Sequence, residues 1–127
     1  MIFYSVLGTN YLIEGVAFYD QVLGLMGAKR LIEFDRGFAW AIAQDQPMFC
    51  LMTPFDQKDA SIGNGVTVSF AVASTEIVDQ MHALAIDLGG ADEGQPGFRD
   101  DGRYAAYFRD LDGNKLCAAC VRSDSNH

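Results

Sequence analysis

Histidine is nearly absent from this chain: there are two in 127 residues, at positions 82 and 127. A histidine-rich metal centre and a histidine-driven nucleophile–base pair therefore lose their usual supply. Cysteine is scarce too. Its three copies, Cys50, Cys117 and Cys120, are an odd number spread through strand-like segments. They build no disulfide framework, so reduced thiols in a soluble, cytoplasmic protein are expected. Nine Lys and Arg stand against seventeen Asp and Glu, a formal net charge of −8. That balance disfavours nucleic acid or an anionic membrane surface as a partner. No apolar run reaches the length of a membrane span. "MIFYSVLGTN" carries no basic stretch ahead of a long apolar one, so no secretory signal is expected. "LGG" and "GNG" are stop and turn signals, not phosphate loops.

What is present is a core and a repeat. Half of the residues are hydrophobic and 20% are charged, which suits one globular domain over 1–127. "IFYSVLGTN" reads as an alternating strand ending at Asn10, a suitable N-cap. "YLIEGVAFYDQVLGLMG" then places Leu12, Val16, Tyr19, Leu23 and Met26 along one helical face, with Gly27 as the stop. Three strand-like segments follow, "AKRLIEFD", "FAWAIAQ" and "MFCLMT", separated by turn residues. After a linker at about 54–64 the pattern returns. "GVTVSFAVAS" is a strand, and Ser74 or Thr75 caps "TEIVDQMHALAIDLGG", whose Ile77, Met81, Leu84 and Leu88 share a face. A short segment near "ADEGQ" and the hairpin "YAAYFRDLDGNKLCAAC" supply three more strands. Unit one spans about 1–55 and unit two about 65–122, each a strand, a helix and three strands.

Alternation assigns the faces of these strands. In the hairpin Asp110 opens the turn, Gly113 takes positive φ, and Asp110 pairs with Asn114. Arg109 then faces Lys115, Phe108 faces Leu116, and Tyr107 faces Cys117. Ala106, Phe108, Leu116 and Ala118 form a core face, while Ala105, Tyr107, Cys117 and Ala119 form the other. With one helix per sheet, the helix-free faces are expected to enclose a cleft between two curved sheets, a plausible small-molecule site. Phe3 and Leu7 should meet the first helix and leave Tyr4 and Val6 to the cleft. Val66, Val68, Phe70 and Val72 should meet the second, leaving Thr67, Ser69 and Ala71 in the cleft.

The doubled βαβββ unit, with "AFYDQVLGLMG", "GNGVTVSFAV" and "YAAYFRDLDGNKLCAAC", resembles the vicinal oxygen chelate superfamily. Its members include glyoxalase I, extradiol dioxygenases and the bleomycin- and fosfomycin-resistance proteins. The hairpin resembles a family turn of the Asp-Pro-Asp-Gly-Asn type, with Leu111 where proline is usual. The resemblance implies an α+β fold of two βαβββ units around a shared cleft, and a homodimer. It also implies a divalent ion held by His, Gln or Glu from the outer strands of the units. Here those positions carry Tyr4, Cys50, Thr67 and Cys117, with no imidazole and no carboxylate. Such a set suits no oxygen-liganded Mg²⁺, Mn²⁺ or Ca²⁺. A soft ion on Cys50, Cys117 and Tyr4 is conceivable, but buried cysteines behave first as small apolar residues. Cys120 points to the opposite face. His82 reads as a partly exposed helix residue away from the cleft, and His127 belongs to the tail "RSDSNH".

The expectation is therefore a metal-independent family member, without a cofactor, that binds a small, partly aromatic molecule. Its cleft would be edged by Tyr4, Trp40, Cys50, Thr67, Ser69, Phe98, Arg99, Tyr107 and Cys117, with Phe38 and Phe49 nearby. The loop "GQPGFRDDGR" should border the entrance, where Arg99 or Arg103 could meet an anion or be neutralised by Asp100 and Asp101. Two alternatives stand beside this reading. One is a metal-dependent lactoylglutathione-lyase-like isomerase, lyase or dioxygenase. The other is a metal-free or thiol-based enzyme using Tyr107 and Cys117.

Overall fold

A computed structural model describes residues 1–121 of the chain, and His127 lies outside the described residues. The elements run β1 (Tyr4–Gly8), α1 (Leu12–Gly24), β2 (Lys29–Phe34), β3 (Gly37–Ala41) and β4 (Met48–Met52) in the first unit. The second unit runs β5 (Val68–Ala71), α2 (Thr75–Asp87), β6 (Ala91–Phe98), β7 (Tyr104–Arg109) and β8 (Lys115–Cys120). They build two four-stranded sheets, ordered β1-β4-β3-β2 and β5-β8-β7-β6. In each sheet the first strand pairs in parallel with the last and the other pairs are antiparallel. Both sheets are thus mixed, and the fold is α+β. The helix after each first strand acts as the crossover that a parallel pairing needs. No helix among the described residues is long and apolar enough to cross a membrane.

The helices lie where the apolar periodicity places them. Gly15, Phe18, Tyr19, Val22 and Leu23 are the buried face of α1, with Leu12, Val16 and Met26 packed at its margin. Gly27 ends the helix at φ +86°, a conformation that costs a glycine little. Ser74 caps α2 by accepting the Ile77 amide at 3.2 Å. Asn10, however, is not the cap of α1. The cap position is Tyr11, without a side-chain bond. Asn10 is engaged elsewhere: its Nδ2 donates to the Ala60 carbonyl (3.0 Å) and its Oδ1 accepts the Ala60 amide (2.7 Å). The side chain read as a cap is a clamp on the linker.

One core joins both units. Leu7, Tyr19, Val22, Trp40, Phe49 and Leu51 of the first pack in the same cluster as Phe70, Val78, Met81, Phe108 and Leu116 of the second. The rings of Phe49 and Phe70 meet edge-on at 5.3 Å. Across the same seam Tyr19 donates its hydroxyl to Asp110 Oδ2 at 2.6 Å. Asp110 also accepts the amides of Asp112 and Asn114 and the Asn114 side chain, each at 2.9 Å. The hairpin has the predicted register, Asp110 bonded to Asn114, Tyr107 opposite Cys117, and Gly113 at φ +90°.

Four further details differ from the sequence reading. Phe3 precedes β1 and is exposed rather than packed on α1. Val66 is exposed too, because the Gly63–Val66 turn, with Gly65 at φ +88°, turns the chain before β5 begins. β6 runs on to Phe98 through much of the expected loop. Two register shifts let it do so, around Gly94, on an edge strand that tolerates Pro96. His82 is buried, not half-exposed. Its Nε2 lies 2.8 Å from Asp92 Oδ1, which ties α2 to β6, and its ring meets Phe108 edge-on.

Candidate functional site

Each sheet keeps one face free of its helix, and the two faces differ in chemistry. In the first sheet the register brings Tyr4, Val6, Cys50, Ala39, Ile32 and Phe34 to that face, opposite to Leu7, Trp40, Phe49 and Leu51. Tyr4 is 54% exposed and Val6 46%. Cys50 lies low between longer neighbours, and burial pushes its thiol above the ordinary range. In the second sheet the open face carries Ser69, Ala71, Ala105, Tyr107, Arg109, Lys115, Cys117 and Ala119. Ala105, Cys117 and Ala119 are buried in a small cluster of their own, with Tyr107 packed at its rim. Cys117, burial and a hydrogen bond to the thiol push the Tyr107 phenol up, against the smaller pull of Arg103 and Arg99. At neutral pH this phenol is a hydrogen-bond donor and a poor base.

Two grooves border these faces, the first between the sheets and the second within the second unit and its linker. One of about 440 Å³ is lined by Ser5, Met48 and Phe49 of the first sheet and by Ser69, Phe70 and Ala71 of the second. Another, of about 480 Å³, runs between the 62–67 loop and the base of the hairpin, with Thr67, Arg109 and Lys115 in its wall. Thr67 precedes β5 and is exposed.

Two expected wall residues, Trp40 and Phe98, are elsewhere. Trp40 is 1% exposed on the helix side of β3, its ring against Tyr19 and Phe49 and its Nε1 donating to Asp20 Oδ1 at 2.9 Å. Phe49 belongs to the same core, and Phe38 packs against it beneath the Arg30 guanidinium. Phe98 pairs with Tyr104, which stands on the core face of β7, and the two rings meet at 5.0 Å. Arg99 does reach the open face. Its guanidinium lies 5.5 Å from the Tyr107 ring centroid and donates to the Gln95 carbonyl at 3.0 Å. Arg103 is held instead by Asp101, with Nε–Oδ2 at 2.8 Å. The sequence reading paired Arg109 with Lys115 without counting either as a site residue. Yet their alternation parity with Tyr107 and Cys117 was the signal that both share this face.

No protein-family model and no curated protein sequence matches the chain. Solved structures do. A glyoxalase/bleomycin resistance protein from Albidiferax ferrireducens is 36% identical over 96% of this chain and 99% of its own, with a TM-score of 0.89. The chain belongs to the glyoxalase/bleomycin resistance/dioxygenase superfamily. Two more distant structures share the fold alone. A superfamily enzyme from Burkholderia phytofirmans is 18% identical over 94% of this chain and 98% of its own, with a TM-score of 0.74. A lactoylglutathione lyase from Agrobacterium tumefaciens is 19% identical over 94% and 92%, with a TM-score of 0.68.

For a glyoxalase-superfamily chain the metal question falls on Tyr4 and Cys50 of one sheet and Thr67 and Cys117 of the other. Two buried thiols, an exposed phenol and an exposed hydroxyl are a poor donor set for a divalent ion. Among the described residues no three His, Cys, Asp or Glu side chains lie together where they could hold one. Neither His82, committed to Asp92, nor Asp110, committed to Tyr19 and the turn, is free to serve.

Proposed function

We propose that this chain is a metal-independent binding member of the superfamily, which holds a small, partly aromatic molecule against the open faces of its sheets. The observation that carries the reading is the chemistry at four positions. Tyr4, Cys50, Thr67 and Cys117 offer neither an imidazole nor a carboxylate where the resemblance implies metal ligands. Tyr4, Ser69, Arg99, Tyr107 and the Cys117 floor supply aromatic, polar and apolar contacts instead. A homodimer belongs to the same reading. It is supported by the apolar open face of the first sheet, where Tyr4, Val6, Ile32 and Phe34 are all more than a third exposed. A thiol-based reaction gains little support from Cys50 and Cys120, since burial raises both thiols and leaves them poor nucleophiles at neutral pH.

The test is metal analysis of the full chain. Protein purified without added metal is offered Zn²⁺, Ni²⁺, Mn²⁺ or Fe²⁺, desalted, and measured by plasma mass spectrometry. The expected content is far below one ion per chain, with no glyoxalase activity on a hemithioacetal. One tightly held ion per chain, lost on mutation of Tyr4 or Cys117, overturns the proposal and establishes the metal-dependent alternative.

A further inference from the structure

The open face of the second sheet runs against the charge of the molecule. The chain carries a net charge of −8, yet this face brings Arg99 and Lys115 to one phenol and sets Arg109 opposite Lys115. Arg109 and Lys115 stand directly opposite each other in the β7–β8 register, where like charges repel and destabilise the pair. Arg109 is partly offset by Glu93, at 3.2 Å, and it also donates to the Gly113 carbonyl at 3.0 Å. Lys115 has no carboxylate partner among the described residues. Its ammonium lies 5.2 Å from the Tyr107 ring centroid, on a ring that Arg99 also approaches.

These charges border a cavity. Lys115 and Arg109 share the wall of the groove of about 480 Å³ with Asn64 and Thr67, and with the apolar Ile62 and Val66. That volume suits a small organic molecule. Farther along the same face, with Tyr107 opposite Cys117, the Ala105, Cys117 and Ala119 floor is apolar and low. The uncompensated charge in the groove is roughly that of Lys115 alone, so a monoanion balances it better than a dianion.

We infer that the ligand of this protein carries a carboxylate, received by Lys115 and Arg109 in the groove beneath the 62–67 loop, with its apolar body toward Tyr107 and the Cys117 floor. The inference rests on the binding role proposed above and adds the ligand's charge and its orientation. A bound carboxylate relieves the Arg109–Lys115 repulsion. Thr67 and Asn64 supply neutral donors beside it, and a cationic ligand meets like charge at the same place.

The experiment is isothermal titration of the full-length protein with three matched probes: 2-naphthoate, 2-naphthamide and naphthalen-2-ylmethylammonium. Naphthoate should bind at least about tenfold more tightly than the amide, the ammonium should bind most weakly, and added salt should narrow the gap. Lys115→Gln should abolish the preference for naphthoate while leaving the amide's affinity in place, and Lys115→Arg should retain it. Arg103→Gln, which removes a cation already held by Asp101, should leave the preference intact. Melting curves of each variant establish that it is folded. Equal or tighter binding of the amide or the ammonium to the native protein overturns the inference and leaves the binding role standing. So does a preference for naphthoate that survives in Lys115→Gln. If none of the three probes binds the native protein, the binding role itself falls.

Discussion

The two sheets share a topology and differ in what they expose. Each has one parallel pair, one helix on its covered face and one open face. The first open face is a field of exposed apolar side chains, Tyr4, Val6, Ile32 and Phe34, over a low centre of Ala39 and Cys50. The second is a low floor of Ala105, Cys117 and Ala119 rimmed by Tyr107 and cations. Strand order and helix packing are dictated by the covered faces, where both units draw on one shared core. The open faces carry no such demand, so their chemistry is free to diverge. A cysteine stands low on each, Cys50 in one and Cys117 in the other, so a common scaffold offers an apolar wall on one side and a polar, cationic one on the other.

The largest effect expected lies at the seam between the units, where Asp110 of the second accepts the Tyr19 hydroxyl of the first. Asp110→Ala strands a buried phenol, takes one of two acceptors from the Asn114 side chain and removes the anchor of the hairpin turn. The loss should be on the order of 3 kcal/mol, because hydrogen bonds to a charged acceptor are broken without replacement. Urea unfolding followed by both tryptophan fluorescence and circular dichroism measures it. Coincident transitions, shifted together, are expected if one core serves both units. A loss below about 1 kcal/mol, or separate transitions for the two probes, breaks the picture of two units fused through this contact.

How much of this was legible in the sequence depends on which face a residue serves. The order of the elements and the hairpin register follow from apolar spacing and turn residues, and the structure has them as read. So does the split between Phe108 with Leu116 and Tyr107 with Cys117. The buried face of α2, by contrast, is centred on Val78, Met81, His82 and Ala85, with Ile77, Leu84 and Leu88 at its margin. Side-chain commitments made over long separations were not legible. Asn10 looks like a cap until Ala60, fifty residues on, takes its side chain. His82 looks half-exposed until β6 packs along α2 and sets Asp92 against its ring. Trp40 looks like a cleft aromatic until its parity with Phe38 and the Asp20 acceptor on α1 place it under the helix. At the candidate site the types of residue were legible. Which of them converge was not, because that depends on how the sheets approach each other.

A smaller effect tests whether the two low cysteines are interchangeable. Both are almost fully buried, and each replaces a position where the family resemblance implies a metal ligand. Cys117→Ala and Cys50→Ala should each cost about 1 kcal/mol or less, the transfer and cavity terms of one sulfur. They should differ in binding. Cys117→Ala alters the floor beside Tyr107 and should shift 2-naphthoate affinity by no more than a few fold. Cys50→Ala, on the apolar sheet, should leave the charge preference of the probes untouched. A loss of binding above about tenfold in Cys117→Ala makes the thiol a specific contact and separates the two sheets further.

The smallest effect contrasts the ties that hold each helix to its edge strand. In the first unit Asp20 of α1 meets Arg30 of β2 at 3.2 Å. In the second the polarity is reversed, and His82 of α2 meets Asp92 of β6 at 2.8 Å. Asp92 is held below the usual carboxylate range, first by the hydrogen bond from His82, then by the Gly94 amide and, more weakly, the Gln95 side chain. A carboxylate whose pKa is depressed on folding binds its proton less tightly in the folded chain than in the unfolded one. Its contribution is therefore complete above the unfolded value, about 3.9 for Asp, and drains away as pH falls through the lower folded value. Melting temperatures measured between about pH 6 and pH 2.5 for the native chain and Asp92→Asn check this. The native protein should melt higher by a small and constant margin down to about pH 5, and the two curves should then converge as the pH falls below about 4. No margin at any pH means that His82 is held by packing against Phe108 and not by the carboxylate. A margin that persists undiminished to the acid end means that Asp92 contributes independently of its charge. In either case the reversed polarity of the two ties has no energetic meaning.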